Sequence, residues 1–448
     1  MKIKLVSCTA VLTALLGNFV YGAFGTGGLQ PAWADVPSGG SAPAPASGDL
    51  AAPQLAPCIS WRNPNVQSKY AMLCIHGLGL YSKSYQTFGQ IMSRTGGIIY
   101  AIDVRGFGSW VNAQGHENLD FNGCLADIES ALKEIHTSHP GLPVFLLGES
   151  MGGAVALRAA STYPELIDGV ISAVPAGERF KQKRTDLKVA LDVLSGAHKT
   201  RSGIGKQVVE QAATDKQAGK VNEQLAAAWQ DDPLDRLDLS AKDLMQFQSF
   251  MNDNHDAVKK LTVPVLFLQG LDDDLVRPDG TWDLMKEVGV HDRTLVALPA
   301  RHLMLEESQT QNPAERRAAW HSVLAWVLSH LPDHAVADVP AVRTIAPQAA
   351  RKITQGLPTV LVFYAKWCDQ CDKIAGFVNR AQKQNAKQVR FVKYDVDDPR
   401  NQALLKELSI GAIPELIFLK PDGTISSSLM GQTAPLVIMN NIADMLKH

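Results

Sequence analysis

Two short stretches of this 448-residue chain carry nucleophiles at spacings that chemistry uses. In the first, an apolar run over 143–147 stops at Gly148 and is followed by Glu149, Ser150, Met151 and Gly152. A serine at a tight strand-to-helix turn adopts strained dihedrals that present its hydroxyl, the arrangement of a nucleophile elbow. Gly148 and Gly152 remove side chains that would clash there, and Gly153, Ala154 and Ala156 let the next helix start close to the sheet. Its N-terminal amides then face the place where negative charge forms. In the second stretch, Cys368 and Cys371 are separated by Asp369 and Gln370 after another apolar run. This spacing at a helix start favours redox chemistry over zinc, since no second Cys or His pair accompanies it. The helix N-terminus stabilises Cys368 as the thiolate that attacks a disulfide, and Cys371, one turn on, resolves the mixed disulfide. Neither nucleophile calls for a metal or a cofactor.

A nucleophilic serine needs a base, and an acid that holds the base in the right tautomer. Residues 70–75 read as a strand entering His76-Gly77-Leu78-Gly79, and residues 98–102 as a strand ending in a Gly-punctuated loop over 103–108. Leu125, Ile128, Leu132 and Ile135 recur at helical spacing before the strand that feeds Ser150. Residues 166–173, 263–269 and 294–298 read as further strands. Such alternation implies a mostly parallel sheet with helices on both faces. Asp272, Asp273 and Asp274 follow the 263–269 strand; Asp273 is the expected orienting acid, its neighbours being solvated or capping. His302 follows the last strand and completes the chain order Ser, Asp, His. Between 177 and 260 no strand pattern occurs, while Leu187, Ala190, Leu191 and Leu194 form one helical stripe and Leu244, Phe247, Phe250 and Met251 another. This segment is expected to be a helical cap over the serine, the second stripe packing on the body rather than on an acyl chain.

The length suggests two or three domains. With 43 Lys plus Arg against 45 Asp plus Glu, no electrostatic case exists for nucleic acid as a partner. Lys2 and Lys4 precede a long apolar run, and Ala32-Trp33-Ala34 supplies small residues for cleavage, so residues 1–34 read as an export signal or, if uncleaved, an N-terminal membrane anchor. The expected location is periplasmic or secreted. Residues 35–57 are Pro, Ala, Ser and Gly with few large apolar side chains and read as a flexible tether. Of six cysteines, Cys58, Cys74 and Cys124 fall in the first domain, where one disulfide or none is open; Cys74, in an apolar strand, also fits as a small core residue.

Residues 58–331 resemble an α/β-hydrolase of the monoacylglycerol lipase and lysophospholipase group. The resemblance rests on GESMGG, HGLG, Asp232-Pro233-Leu234 within the cap (about 177–260), GLDDDLVRP and Asp292-Arg293-Thr294. Carried across, it implies Ser150 as nucleophile, His302 as base and then acid, Asp273 as orienting acid, and the N–H groups of Leu78 and Met151 as oxyanion hole. Trp110 stands where relatives usually have a small hydroxyl residue, and Arg301 where a smaller or aromatic residue is common.

A Pro-containing linker over 332–341 leads to a second domain, 342–448, with strand patterns at 358–365, 389–395, 416–419 and 425–429. This domain resembles thioredoxin, with WCDQC, with Ile413-Pro414 where the family carries a cis-proline facing the sulfurs, and with Gly431 at a family glycine. Val362 replaces the family's buried acid although Lys393 matches its partner, and Asp369 disfavours the thiolate. The fold expected is therefore α/β throughout, a capped hydrolase sheet plus a thioredoxin-like domain. The expected activity is hydrolysis of small-molecule or lipid esters, joined to thiol–disulfide exchange with a partner protein. The alternative makes the chain chiefly a thiol–disulfide oxidoreductase whose hydrolase body is a binding scaffold or a redox-regulated partner. Membrane association through the N-terminal segment or the substrate is left open.

Overall fold

The computed structural model describes residues 55–177, 214–215, 220–221, 232–236, 239–273, 275–306, 313–332, 345 and 347–446. The export signal, most of the tether, the first cap stripe, Asp274 and residues 333–341 of the linker lie outside the described residues.

In chain order the first half runs β1 (Ala56–Trp61), β2 (Tyr70–Ile75), α1 (Gln86–Ser93), β3 (Gly97–Ile102), α2 (Phe121–Ser138), β4 (Val144–Glu149), α3 (Met151–Thr162) and β5 (Gly169–Ala173). Within the segment expected to lack strands, β6 (Thr214–Asp215) and β7 (Lys220–Val221) form a two-residue antiparallel ladder, too short for periodicity to reveal; then come α4 (Ala241–Asn252), α5 (Asn254–Lys259), β8 (Val265–Gly270), α6 (Pro278–Glu287), β9 (Arg293–Leu298) and α7 (Pro313–Ser329). The main sheet has the order β1-β3-β2-β4-β5-β8-β9. Only β1 runs antiparallel to its neighbour in this series. β2 to β5 and β8 are buried at every position, which is why they read as unbroken apolar runs rather than alternating ones.

Both faces of the sheet are covered. Ile128, Leu132 and Ile135 of α2 and Leu157 of α3 pack with Leu73, Ile102 and Leu146 on one face. Phe88 of α1 and Val323, Trp326 and Val327 of α7 pack with Met72, Phe145 and Leu266 on the other. The expected strand over 166–173 starts three residues later, because Pro164–Leu166 form a 3-10 turn and the Asp168 carboxylate accepts the Val144 N–H at 2.7 Å. At the chain's other margin, Ala56 and Pro57 are already strand rather than tether. Cys58, Cys74 and Cys124 are all buried and unpaired.

α4 begins with a reciprocal cap between Ser240 and Asp243. Its Leu244, Phe247, Phe250 and Met251 belong to the core that includes α2 and α3, and Phe250 stacks on Phe121 with ring centroids 4.3 Å apart. That stripe packs on the body.

The second half has α8 (Pro347–Thr354), β10 (Thr359–Tyr364), α9 (Asp369–Gln384), β11 (Arg390–Asp395), α10 (Gln402–Glu407), β12 (Ala412–Ile413), β13 (Glu415–Leu419), β14 (Ile425–Met430) and α11 (Pro435–Leu446). Its sheet has the order β11-β10-β13-β14, with β11 parallel to β10 and the other pairs antiparallel. A hairpin over Pro421-Asp422-Gly423 joins β13 to β14, Gly423 taking φ +91.

The two sheets meet at an edge. β12 adds to β1 in parallel, Ala56 opposite Ala412 and Pro57 opposite Ile413. The Gln432 N–H donates to the Cys58 carbonyl at 2.8 Å, and the Ser60 N–H to the Gln432 carbonyl at 2.9 Å. An edge strand left open presents unpaired donors and acceptors, and here the second half supplies partners for them.

Candidate functional site

Ser150 sits between β4 and α3 with φ 56 and ψ −114, a conformation an L-residue holds only when its surroundings enforce it. The enforcement is visible at its flanks. A Cβ on Gly148 would overlap the Gly152 carbonyl, and one on Gly152 would overlap the Ile75 carbonyl at the end of β2. The elbow closes only because both positions are glycine.

His302 lies just beyond β9, and its Nε2 is 2.8 Å from Ser150 Oγ while its Nδ1 is 2.8 Å from Asp273 Oδ2. Asp273 follows β8; its other oxygen accepts the Leu275 and Val276 N–H groups at 2.8 and 3.0 Å. Burial raises the Asp273 pKa, but the facing His302 and those N–H donors outweigh it and hold the carboxyl below its usual range. An ionised acid on Nδ1 leaves Nε2 free to accept the serine proton. All three residues are buried.

Ile75 of β2 pairs with Gly148 of β4, so the loops carrying Leu78 and Met151 leave the same end of the sheet. Met151 is the first residue of α3, where a helical N–H has no intrahelical acceptor. Leu78 follows Gly77, whose N–H donates to Glu306 Oε1 at 2.7 Å. His76 is buried and neutral, its pKa lowered to about 4 by burial. Its Nε2 accepts the Val104 N–H at 2.9 Å, which leaves Nδ1 to donate to the Gly77 carbonyl at 2.9 Å.

Sequence reasoning assigned no role to Glu149, Glu306 or Gln370. The Glu149 carboxylate accepts the N–H groups of Met304, Leu305 and Glu306, and so ties the residues after His302 to the residue before Ser150. Burial pushes Glu149 up to about 7 against those donors; burial and the neighbouring Glu149 push Glu306 well above the carboxylate range. A charged residue closing an otherwise apolar strand was the available signal for Glu149.

In the second half, Cys368 and Cys371 form a disulfide at the start of α9. Ile413, preceding Pro414 through a cis peptide, shares their apolar cluster, and the Pro414 carbonyl accepts the Gly431 N–H at 2.6 Å. Val362 is buried, Lys393 bonds Asn379 at 2.8 Å, and a buried acid, Glu415, lies next to Pro414. Cys368 is 0 % and Cys371 4 % exposed, because the motif faces the first half. Trp367 stacks on Trp110 with centroids 4.9 Å apart, and Gln370 hydrogen-bonds Ser82, Asp103 and Ser109. Trp110, out of pattern in sequence, is the ring on which the second half rests.

Among the described residues no group of three or more His, Cys, Asp and Glu could hold a metal, and no helix is long and apolar enough to cross a membrane.

Comparison with known proteins matches both halves. A family model described as serine aminopeptidase, S33, covers residues 66–309, more than half of the chain, and a thioredoxin model covers 347–444. The monoglyceride lipase of Homo sapiens is 26% identical over 273 residues, covering 60% of this chain and 86% of that protein. The thioredoxin-like protein HCF164, chloroplastic, of Oryza sativa subsp. japonica is 30% identical over 90 residues, covering 20% of this chain and 34% of that protein. A soluble variant of monoglyceride lipase from Saccharomyces cerevisiae, solved with a substrate analog, shares the fold of the first half with TM-score 0.52 at 22% identity, covering 61% of this chain and 92% of that one. The α/β-hydrolase architecture and the α/β thioredoxin architecture are thus both present, and the chain belongs to the serine aminopeptidase S33 family of hydrolases, with a thioredoxin domain fused on its C-terminal side.

Proposed function

We propose that this chain is an exported serine ester hydrolase acting on monoacylglycerol- or lysophospholipid-class substrates, with its thioredoxin domain competent for thiol–disulfide exchange. One observation carries the hydrolytic reading: His302 stands 2.8 Å from Ser150 Oγ through one ring nitrogen and 2.8 Å from Asp273 through the other. Likeness to the monoglyceride lipase of Homo sapiens supports the substrate class. His302 takes the Ser150 proton as Oγ attacks the ester carbonyl, and the Leu78 and Met151 amides hold the oxyanion. His302 then protonates the leaving alcohol, and a water activated by the same imidazole releases the acid.

The Cys368–Cys371 pair at a helix N-terminus, beside Ile413-Pro414, supports the exchange activity. Attack by a partner's thiolate requires access to a sulfur; both cysteines are buried, and Gln370 between them is bonded to Ser82, Asp103 and Ser109, so exchange needs that contact to open. The basic start, the apolar run and Ala32-Trp33-Ala34 support export.

Assay of the purified protein against monoacylglycerols, lysophospholipids and short-chain esters tests the substrate class. Preference for a monoacylglycerol or a lysophospholipid is expected; activity confined to short soluble esters would overturn it.

A further inference from the structure

Gln370, between the two redox cysteines, is fully buried, and its side-chain hydrogen bonds to Ser82, Asp103 and Ser109 cross to the hydrolase half. Its Nε2 donates to Ser82 Oγ and to Asp103 Oδ2, each at 3.1 Å, and its Oε1 accepts the Ser109 hydroxyl. Ser109 Oγ in turn accepts the Asp369 N–H at 3.0 Å. The same Asp103 carboxylate also receives the Ser82 and Ser109 backbone N–H groups at 3.0 and 2.8 Å. Trp110, stacked on Trp367, donates its Nε1–H to the Asp103 carbonyl at 2.9 Å. Asp103 is therefore held by donors of its own half and, through the Gln370 amide, from the thioredoxin side. The next residue, Val104, donates its N–H to His76 Nε2 at 2.9 Å, and His76 braces the Gly77 carbonyl immediately before Leu78.

We infer that Gln370 is a positioning residue for ester hydrolysis: the ring closed by Cys368–Cys371 holds its amide against Asp103 and, through Val104 and His76, sets the place of the Leu78 N–H. The inference rests on the serine-hydrolase reading above and adds a control to it. Opening the ring frees the turn that carries Gln370. Dithiothreitol does this by giving two electrons and two protons to the sulfur–sulfur bond; the chain keeps two thiols and the reagent leaves as its cyclic disulfide. Linkage makes the effect reciprocal, so a dock weakened by reduction must, when intact, resist reduction by the same factor.

The test uses the full-length protein with a short-chain p-nitrophenyl ester, together with the rate of disulfide reduction by dithiothreitol followed by thiol alkylation and mass. Displacing an oxyanion donor acts on the transition state, so Gln370→Ala is expected to lower kcat about tenfold with KM within about twofold. Reduction of the wild type, which needs no substitution and so no refolding, should lower kcat to a similar extent, and Gln370→Ala should not respond further. The disulfide of Gln370→Ala should also be reduced several-fold faster than that of the wild type, because a freed motif opens its buried sulfurs to the reagent's thiolate. Unchanged kcat both in Gln370→Ala and in reduced wild type would overturn the inference. Were the wild type to hydrolyse no ester at all, the hydrolase reading would fall. The dock would then stand on a faster reduction of Gln370→Ala and fall on equal rates.

Discussion

Glu306 Oε1 accepts the Gly77 N–H at 2.7 Å, joining the loop after His302 to the loop that carries Leu78 across 229 residues of sequence. Its carboxyl is fully buried. Burial, with Glu149 beside it, raises the pKa well above the ordinary carboxylate range, which favours the neutral acid.

A neutral acid that accepts one N–H is matched in shape and charge by glutamine. Glu306→Gln is therefore expected to keep kcat within about threefold of wild type, whereas Glu306→Ala strands the Gly77 N–H and loses roughly 1–3 kcal/mol of stability. Ester turnover and chemical denaturation of both variants check this. Equal damage from the two substitutions would contradict it.

The same raised pKa fixes the sign of a pH effect. The folded state binds more protons than the unfolded one between the unfolded value of about 4.3 and the higher folded value, so unfolding free energy falls as pH rises through that window. Denaturant titrations across it should show a shallower slope for Glu306→Gln than for wild type, and an unchanged slope would refute the assignment.

Asp273 has the opposite character. Although burial raises its pKa, His302 and the Leu275 and Val276 N–H groups hold it low, so its stabilising contribution is complete above about 3.9 and is lost as pH falls through the folded value. Asp273→Asn removes the charge that orients His302, and kcat is expected to drop by about 10⁴ with little change in KM. A loss of less than about tenfold would remove Asp273 from that role.

Glycines at two places predict opposite signs. Gly152→Ala drives a methyl into the Ile75 carbonyl and should cost about 3 kcal/mol. Gly376 lies mid-helix in α9 with nothing within 4 Å of an added Cβ. Gly376→Ala should gain roughly 0.5–1 kcal/mol. Thermal melts of the two variants read both signs.

Much of this site was legible because it is written locally. The elbow is one run of residues whose glycines are needed within the same turn, and Asp273 and His302 each follow the strand that sets their place. The Cys368–Cys371 spacing and Ile413-Pro414 are local in the same sense. What stayed hidden depends on contacts between distant segments. Glu149 looked like a spacer until its carboxylate met the backbone of residues 304–306. Gln370 is an ordinary polar residue until α9 docks against Ser82 and Ser109, and no periodicity encodes that docking. Trp110 signalled it only as a departure from pattern. Residues 166–168 misled because Leu166 and Ile167 continue the apolar β5 pattern, while Pro164 commits the backbone to a 3-10 turn and the Asp168 carboxylate accepts the Val144 N–H.

The most direct test of the central claim is mass-spectrometric mapping of a fluorophosphonate adduct on the full-length protein, paired with monoacylglycerol hydrolysis by wild type and Ser150→Ala. Labelling on Ser150 alone, with hydrolysis abolished in Ser150→Ala, is the predicted result. An adduct on another residue, or hydrolysis by Ser150→Ala at the wild-type rate, would contradict the account.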